Sequence, residues 1–217
     1  MKTALIIGAT GLVGSELLKA LLLDESYEKI KVFVRREVGY QESKIEQIVI
    51  DFRKVDEWRE KLQGDVLFST LGTTIKKAGS KIVQFKIDYT YQFDVAKNAA
   101  ENGVKNYVLV SSSGADPNSK IFYTRMKGKL DRDVESLNFE LIRILRPSIL
   151  EGERKENRIG EKIAIPAIKI LSDIVPPLKK HRPIHAKVVA SAMINSIEFR
   201  KEQRYQIIAL DEIFNIV

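Results

Sequence analysis

The chain alternates between short apolar runs and longer stretches in which apolar residues recur every three or four positions. Residues 4–7 are continuously apolar and read as a buried strand. Residues 15–23 place Leu17, Leu18, Leu21 and Leu22 on one side and read as a helix. The same pattern predicts strands at 31–34, 45–49, 65–69, 107–111 and 140–145. Between them it predicts a short helix at 56–61 and long ones at 87–102 and 123–137, with Gly103 closing the first long one. Strands that alternate with helices imply parallel βαβ units, so the expected fold class is α/β with a doubly wound parallel sheet. Right-handed crossovers then place a ligand at the carboxyl ends of the strands.

Past Arg146-Pro147 the pattern loosens. Pro166, Pro176, Pro177 and Pro183 punctuate residues 162–185 around a helix expected near 167–174. A helix at 186–199, carried by Val188, Val189, Ala192, Met193 and Ile197, and a strand at 205–208 complete the reading. There is no internal repeat. A chain of 217 residues suits one domain. We expect a single domain over 1–217, with 147–217 contributing a small lobe on the substrate side of the cleft.

The loop between the first strand and helix changes the picture from fold to ligand. Gly8, Gly11 and Gly14 are spaced G-x-x-G-x-x-G between a strand and a helix, the context in which such a motif binds a dinucleotide. Gly8 allows the tight turn, Gly11 lets backbone approach a pyrophosphate, and Gly14 lets the helix pack on the sheet. The helix N-terminus adds free N–H groups and a partial positive charge.

Composition narrows the remaining classes. The absence of cysteine excludes disulfides, thiolate catalysis and cysteine-ligated zinc. Two histidines, His181 and His185, are too few for a metal cluster and read as structural or surface groups, so no metal centre is expected. Glu16 and Lys19 interrupt the apolar N-terminus, and no run reaches the ~18 apolar residues of a membrane span. The expectation is a cytoplasmic protein with no membrane partner, either monomer or homodimer. A net charge of +7 suits anionic ligands; we read it as a solvated surface rather than a nucleic-acid interface, and read Lys179-Lys180-His181-Arg182 as a solvated loop.

Arg35 and Arg36 directly follow the second strand, where a dinucleotide fold faces the adenosine ribose. An acid there favours NAD; arginine offers bidentate donors to a 2′-phosphate, so NADP(H) is expected over NAD(H). Asp51, past the third strand, either accepts from the adenine amino group or caps the following turn. Leu71 and Gly72 follow the fourth strand, where a glycine suits close approach of the nicotinamide half.

Tyr123 and Lys127 stand four apart on a predicted helix, hence on one face. A free tyrosine, with a pKa of about 10, is no base at neutral pH. A neighbouring ammonium and the nicotinamide charge favour phenolate. Lys127 also suits the nicotinamide ribose. Ser111, Ser112 and Ser113 end the fifth strand just upstream, and Ser112 or Ser113, with preference for Ser112, is the candidate donor to a substrate carbonyl.

Taken in order, residues 8–14, Arg35-Arg36, Leu71-Gly-Thr-Thr74, Ser111-Ser-Ser-Gly-Ala-Asp116, Tyr123-x-x-x-Lys127 and Arg146-Pro147 resemble the atypical short-chain dehydrogenase/reductases. The likeness is to their Tat-interacting oxidoreductase-like branch, whose bacterial members are often labelled nucleoside-diphosphate-sugar epimerases. The resemblance implies a Rossmann fold that binds NADPH. It assigns Thr10, Gly11, Leu12 and Val13 to the pyrophosphate, Arg35 and Arg36 to the 2′-phosphate, and Leu71 to the nicotinamide side. It also assigns Arg146 to closure of the cofactor site, and makes residues 183–190 the helix start beside the substrate. Tyr123 becomes proton donor and acceptor, with Lys127 its partner. The family's proton relay uses an asparagine on the helix before the fifth strand, where this chain has Asp88. The spacing from Ser112 or Ser113 to Tyr123 is also short. The function so implied is NADPH-dependent reduction or oxidation of a small carbonyl or alcohol. The alternatives are an NADPH-binding regulatory or scaffold protein with a protein partner, and an epimerase-like enzyme.

Overall fold

The computed structural model describes residues 1–152 and 181–217. The strands are β1 (Lys2–Ile7), β2 (Tyr27–Val34), β3 (Ile45–Val49), β4 (Val66–Ser69), β5 (Asn106–Val110), β6 (Leu141–Arg146), β7 (Leu150–Glu151), β8 (Ile184–His185) and β9 (Tyr205–Ala209). The helices are α1 (Leu12–Leu23), α2 (Ile75–Ala78), α3 (Lys81–Phe85), α4 (Tyr91–Glu101), α5 (Phe122–Glu135) and α6 (Ala186–Asn195).

Seven strands form one parallel sheet in the order β3-β2-β1-β4-β5-β6-β9. The chain builds outward from β1 through β2 to β3, then restarts at β4 on the other side of β1. The strand order therefore reverses between β1 and β4, and a crevice opens at their carboxyl ends. The sheet is the doubly wound one the alternation predicts. Apolar residues cover both faces. Ala4, Ile6, Val32, Phe68 and Val108 face α1 and α6, whereas Leu5, Ile7, Phe33, Leu67 and Leu109 face α4 and α5. Strands buried on both faces read as continuous apolar runs, which is why β1 and β4 stand out in the sequence. Each fully buried Leu or Ile contributes about 1.5–3 kcal/mol.

Two elements differ from expectation in instructive ways. The helix expected at 87–102 begins earlier and is interrupted: α3, a π-helical turn (Lys86–Thr90) and α4 run end to end. The extra residue of the π turn carries Asp88 inward, where it is 1% exposed. Residues 56–61 form two 3-10 turns, Val55–Glu57 and Arg59–Lys61, around buried Trp58, whose indole N–H donates to the carbonyl of Asp51 at 2.8 Å. The carboxyl end of α1 is closed by Lys44, whose ammonium donates to the carbonyls of Leu21, Leu22 and Asp24 at 2.9, 3.1 and 2.7 Å.

Of the C-terminal lobe expected from 147 onward, the helix near 167–174 and Lys179-Lys180 lie outside the described residues. The described remainder builds into the main body. β9 pairs with β6, α6 packs against α1, and β7 pairs with β8. Gly152 lies against Leu12: a Cβ there would stand 2.8 Å from the Leu12 Cδ1.

Candidate functional site

The glycine turn is built by mutual exclusion of side chains. Gly8 has φ +85°, a conformation L-residues avoid, and a Cβ on it would lie 2.6 Å from the Thr70 backbone carbon. A Cβ on Gly14 would lie 2.2 Å from the Gly8 carbonyl oxygen. Backbone, rather than side chain, fills the seam between β1, α1 and the end of β4. Gly11 caps α1 without a side-chain hydrogen bond, and no acid occupies the helix's first turn. The N–H groups of Leu12, Val13 and Gly14 therefore have no intrahelical acceptor and face the crevice end of the helix. Thr10 and Gly11 are exposed, and Val13 is buried, so it can offer only its N–H. A cradle of N–H groups without a competing carboxylate fits a pyrophosphate.

Arg35 and Arg36 are exposed at the end of β2 and make no ion pair or hydrogen bond among the described residues. Their loop is tied to β3 by the Val38 N–H, which donates to the Gln47 side-chain oxygen at 2.8 Å. The register pairs Val34 with Val49, so the ends of β2 and β3, which Arg35-Arg36 and Ile50-Asp51 follow, are neighbours. Asp51 accepts from the Arg53 N–H at 3.0 Å, and the Arg53 guanidinium grips the same carboxylate through Nε and Nη2 at 3.0 and 2.7 Å. That ion pair pulls the Asp51 carboxyl down to about 2. The carboxylate thus caps its own turn, the second of the two roles expected of it.

On the other side of the crevice, Leu71 and Gly72 continue from β4. The Thr73 N–H donates to Asp88 Oδ2 at 2.9 Å, and Lys127 Nζ stands 3.7 Å from Asp88 Oδ1, an ion pair too long for a hydrogen bond. Lys127 and Asp88 are 3% and 1% exposed. Burial raises the Asp88 pKa, while Lys127 and the Thr73 N–H oppose the rise. Tyr123, on the first turn of α5, is 38% exposed, and its hydroxyl has no partner among the described residues. Lys127 thus turns into the body and Tyr123 opens outward from one helix.

The three serines separate by role. Ser111 is buried and donates to Asp131 Oδ2 at 2.9 Å. Ser112 is half-buried and Ser113 exposed, and neither hydroxyl is engaged among the described residues. Arg146, at the end of β6, also donates to Asp131 Oδ2, through Nε at 2.9 Å. Its expected role in closing the cofactor site competes with this structural one. Burial raises the Asp131 pKa, against the pull of Ser111, Arg146 and Lys127.

Three contributors escaped the sequence reading. Thr70 packs on Gly8 and Gly14 and donates its hydroxyl to the Ile7 carbonyl at 2.9 Å. Asp131, one turn beyond Lys127, joins α5 to the ends of β5 and β6. Gly128 lets the loop after Ser113 lie on α5, since a Cβ there would stand 2.2 Å from the Asp116 backbone carbon. A glycine inside a helical pattern is the signal that could have flagged it.

The NAD(P)H-binding family model matches residues 8–164. Protein FMP52, mitochondrial, from Eremothecium gossypii is 40% identical over 72% of this chain and 70% of its own length. Protein HTATIP2 from Rattus norvegicus is 37% identical over 75% of this chain and 69% of its own. Among solved structures, MoeE5 in complex with UDP-glucose and NAD has a TM-score of 0.71 at 13% identity, covering 97% of this chain and 79% of that one. UDP-glucose 4-epimerase from Thermotoga maritima has a TM-score of 0.70 at 13% identity, covering 99% and 83%. These two show the fold alone. The expectation of a cytoplasmic protein is corrected by the fungal relatives, which are named mitochondrial. A cysteine-free composition suits any reducing compartment, so composition carried no address. With this match over most of its length and these relatives, the chain belongs to the NAD(P)H-binding family.

Proposed function

We propose that the protein is an NADPH-dependent oxidoreductase acting on a small carbonyl or alcohol substrate. The observation that carries this reading is α5, which carries an exposed Tyr123 and a buried Lys127 four residues apart, in a chain whose half-buried Ser112 directly follows the end of β5. The first-turn N–H groups of α1 hold the pyrophosphate, and Arg35 and Arg36 hold the 2′-phosphate. Gly72 and Leu71 give the nicotinamide half its floor. The cofactor, when bound, supplies the hydride that the carbonyl carbon takes up. Tyr123 Oη gives its proton to the carbonyl oxygen, completing an alcohol, and Ser112 Oγ donates a hydrogen bond to that oxygen as its charge grows. Lys127, four residues on along α5, would serve to hold the nicotinamide ribose.

Parallel titration with NADPH and NADH, followed by nicotinamide fluorescence, tests the cofactor half. NADPH is expected to bind at least about tenfold more tightly than NADH, each lost phosphate contact being worth about 1.5–3 kcal/mol. Arg35→Ala/Arg36→Ala is expected to erase that preference. Equal affinities in the wild type would refute the reading of the pair. A carbonyl panel tests the chemical half. With any substrate so found, Tyr123→Phe is expected to lower kcat by about 100-fold or more with NADPH affinity kept, the usual worth of a positioned proton donor. Unchanged turnover in Tyr123→Phe rules the mechanism out.

One observation favours a second reading, an NADPH-binding regulatory protein with little turnover. The Lys127 charge faces Asp88, a carboxylate where related enzymes place a neutral amide, and so is partly spent. That reading expects cofactor binding without turnover across the panel, and a protein partner whose capture depends on NADPH.

A further inference from the structure

We infer that Arg53 is a specificity-determining residue for the cofactor, acting by clamping Asp51 at the corner where the 2′-phosphate is received. The inference rests on the NADPH reading above. The β2–β3 register runs as far as Val34 opposite Val49, and the Ile50 N–H donates to the Val34 carbonyl at 2.8 Å, so the segments that carry Arg35-Arg36 and Asp51 leave the sheet from neighbouring strand ends. An unclamped carboxylate near this corner would repel a phosphate dianion. Arg53 counters that repulsion. Its guanidinium holds both Asp51 oxygens, through Nε to Oδ1 at 3.0 Å and through Nη2 to Oδ2 at 2.7 Å. The Arg53 N–H also donates to Oδ1 at 3.0 Å, which fixes the carboxylate against its own turn.

The fork is incompletely spent. Arg53 Nη1 has no partner among the described residues, and the side chain is 76% exposed. Its unused N–H groups remain available to an incoming oxyanion. Lys54 is drawn away by Glu57, to which it donates at 2.8 Å. The local balance is then Arg35, Arg36 and Arg53 against Asp51 and Glu37, a net positive corner that depends on Arg53. Glu37 follows Arg36 directly and is exposed.

Arg53 is 76% exposed, and asparagine at position 51 keeps a side-chain oxygen that can accept from the Arg53 N–H, so these replacements are the ones least expected to disturb the turn. Dissociation constants for NADPH and NADH should be measured on wild type, Arg53→Ala, Asp51→Asn and Arg53→Ala/Asp51→Asn at about 50 mM salt, where screening is modest. Arg53→Ala is expected to lower the NADPH-over-NADH affinity ratio by about five- to tenfold, since it both removes a cation and frees an anion. The double variant is expected to recover most of that ratio, because the freed anion is gone. A ratio in Arg53→Ala within twofold of wild type overturns the inference, and so does a double variant no better than the single. A wild type that binds NADPH no better than NADH overturns the NADPH reading itself. Wild-type preference with an indifferent Arg53→Ala overturns this inference alone.

Discussion

Gly14→Ala is expected to cost about 2–4 kcal/mol of stability and to abolish dinucleotide binding, the larger of the effects at the site. Position 14 lies in the first turn of α1, and at an ordinary helical position alanine would gain about 1 kcal/mol over glycine. The clash decides the sign. The new Cβ would stand 2.2 Å from the Gly8 oxygen, 2.8 Å from the Gly8 carbon and 2.6 Å from Thr70 Oγ1. Two of these atoms are backbone and cannot swing away. Gly8 is itself held, by a hydrogen bond from the Gly11 N–H to its carbonyl at 2.8 Å and by a φ of +85° that has Thr70 behind it. Either α1 lifts off the sheet or the turn opens, and both displace the N–H groups of the cradle. Urea unfolding beside NADPH titration measures the two effects. Gly79→Ala is the comparison: unlike Gly14 it has a positive φ, +79°, but a Cβ there meets nothing within 4 Å. It is expected to lose only about 1 kcal/mol. A Gly14→Ala protein within 1 kcal/mol of wild type would contradict this account of the seam.

Arg143→Met is expected to cost about 3–4 kcal/mol without touching the cradle. Arg143 is fully buried in the middle of β6, with no carboxylate bonded to it among the described residues. Its charge is met by carbonyl dipoles instead. Nε donates to Ser196 at 2.9 Å, Nη1 to Gln203 at 2.9 Å, and Nη2 to Phe199 and Arg200 at 3.1 Å each. One guanidinium thereby fastens the turn after α6 to the sheet and fixes how β9 enters. Methionine fills similar volume but leaves those carbonyls with no donor, and each orphaned acceptor costs about 1–3 kcal/mol unless water reaches it. Lysine keeps the charge but gathers its donors on one atom, which cannot span acceptors spread over residues 196–203, so Arg143→Lys is expected to recover less than half of the loss. Burial lowers the Arg143 pKa, yet an arginine stays charged across the neutral range, so the loss should be constant between pH 6 and 8. Thermal and urea unfolding at both pH values check it. A loss under 1 kcal/mol would mean that the turn after α6 is held by its apolar contacts alone.

How much of this protein its sequence determined follows from which forces are local. Periodicity of apolar residues is a local property, so β1, α1, β4, β5 and α5 were legible to within a few residues. The glycine turn was legible for a related reason: Gly8, Gly11 and Gly14 lie within seven residues of one another, and their spacing has meaning only between a strand and a helix. The helix that carries Tyr123 and Lys127 was legible too, but its pitch did not show that Lys127 is buried against Asp88 while Tyr123 is open.

What the tertiary structure decided depends on contacts across the chain. The π turn that buries Asp88 has no periodic signature, because its inward rotation is stabilised by Thr73 and Lys127, 15 and 39 residues away. The serines at 111–113 look equivalent in sequence, and only Asp131, 20 residues on, separates buried Ser111 from its open neighbours. Arg53 reads as one more surface cation until the folded turn shows its guanidinium gripping Asp51 at the end of β3, next to the end of β2. Thr70 and Gly128 show the same limit from the side of shape: each matters through a space that a distant backbone occupies. A single sequence records which residues prefer which local geometry. It does not record which distant group fills the space beside them, and in this site burial and charge are set by those distant groups.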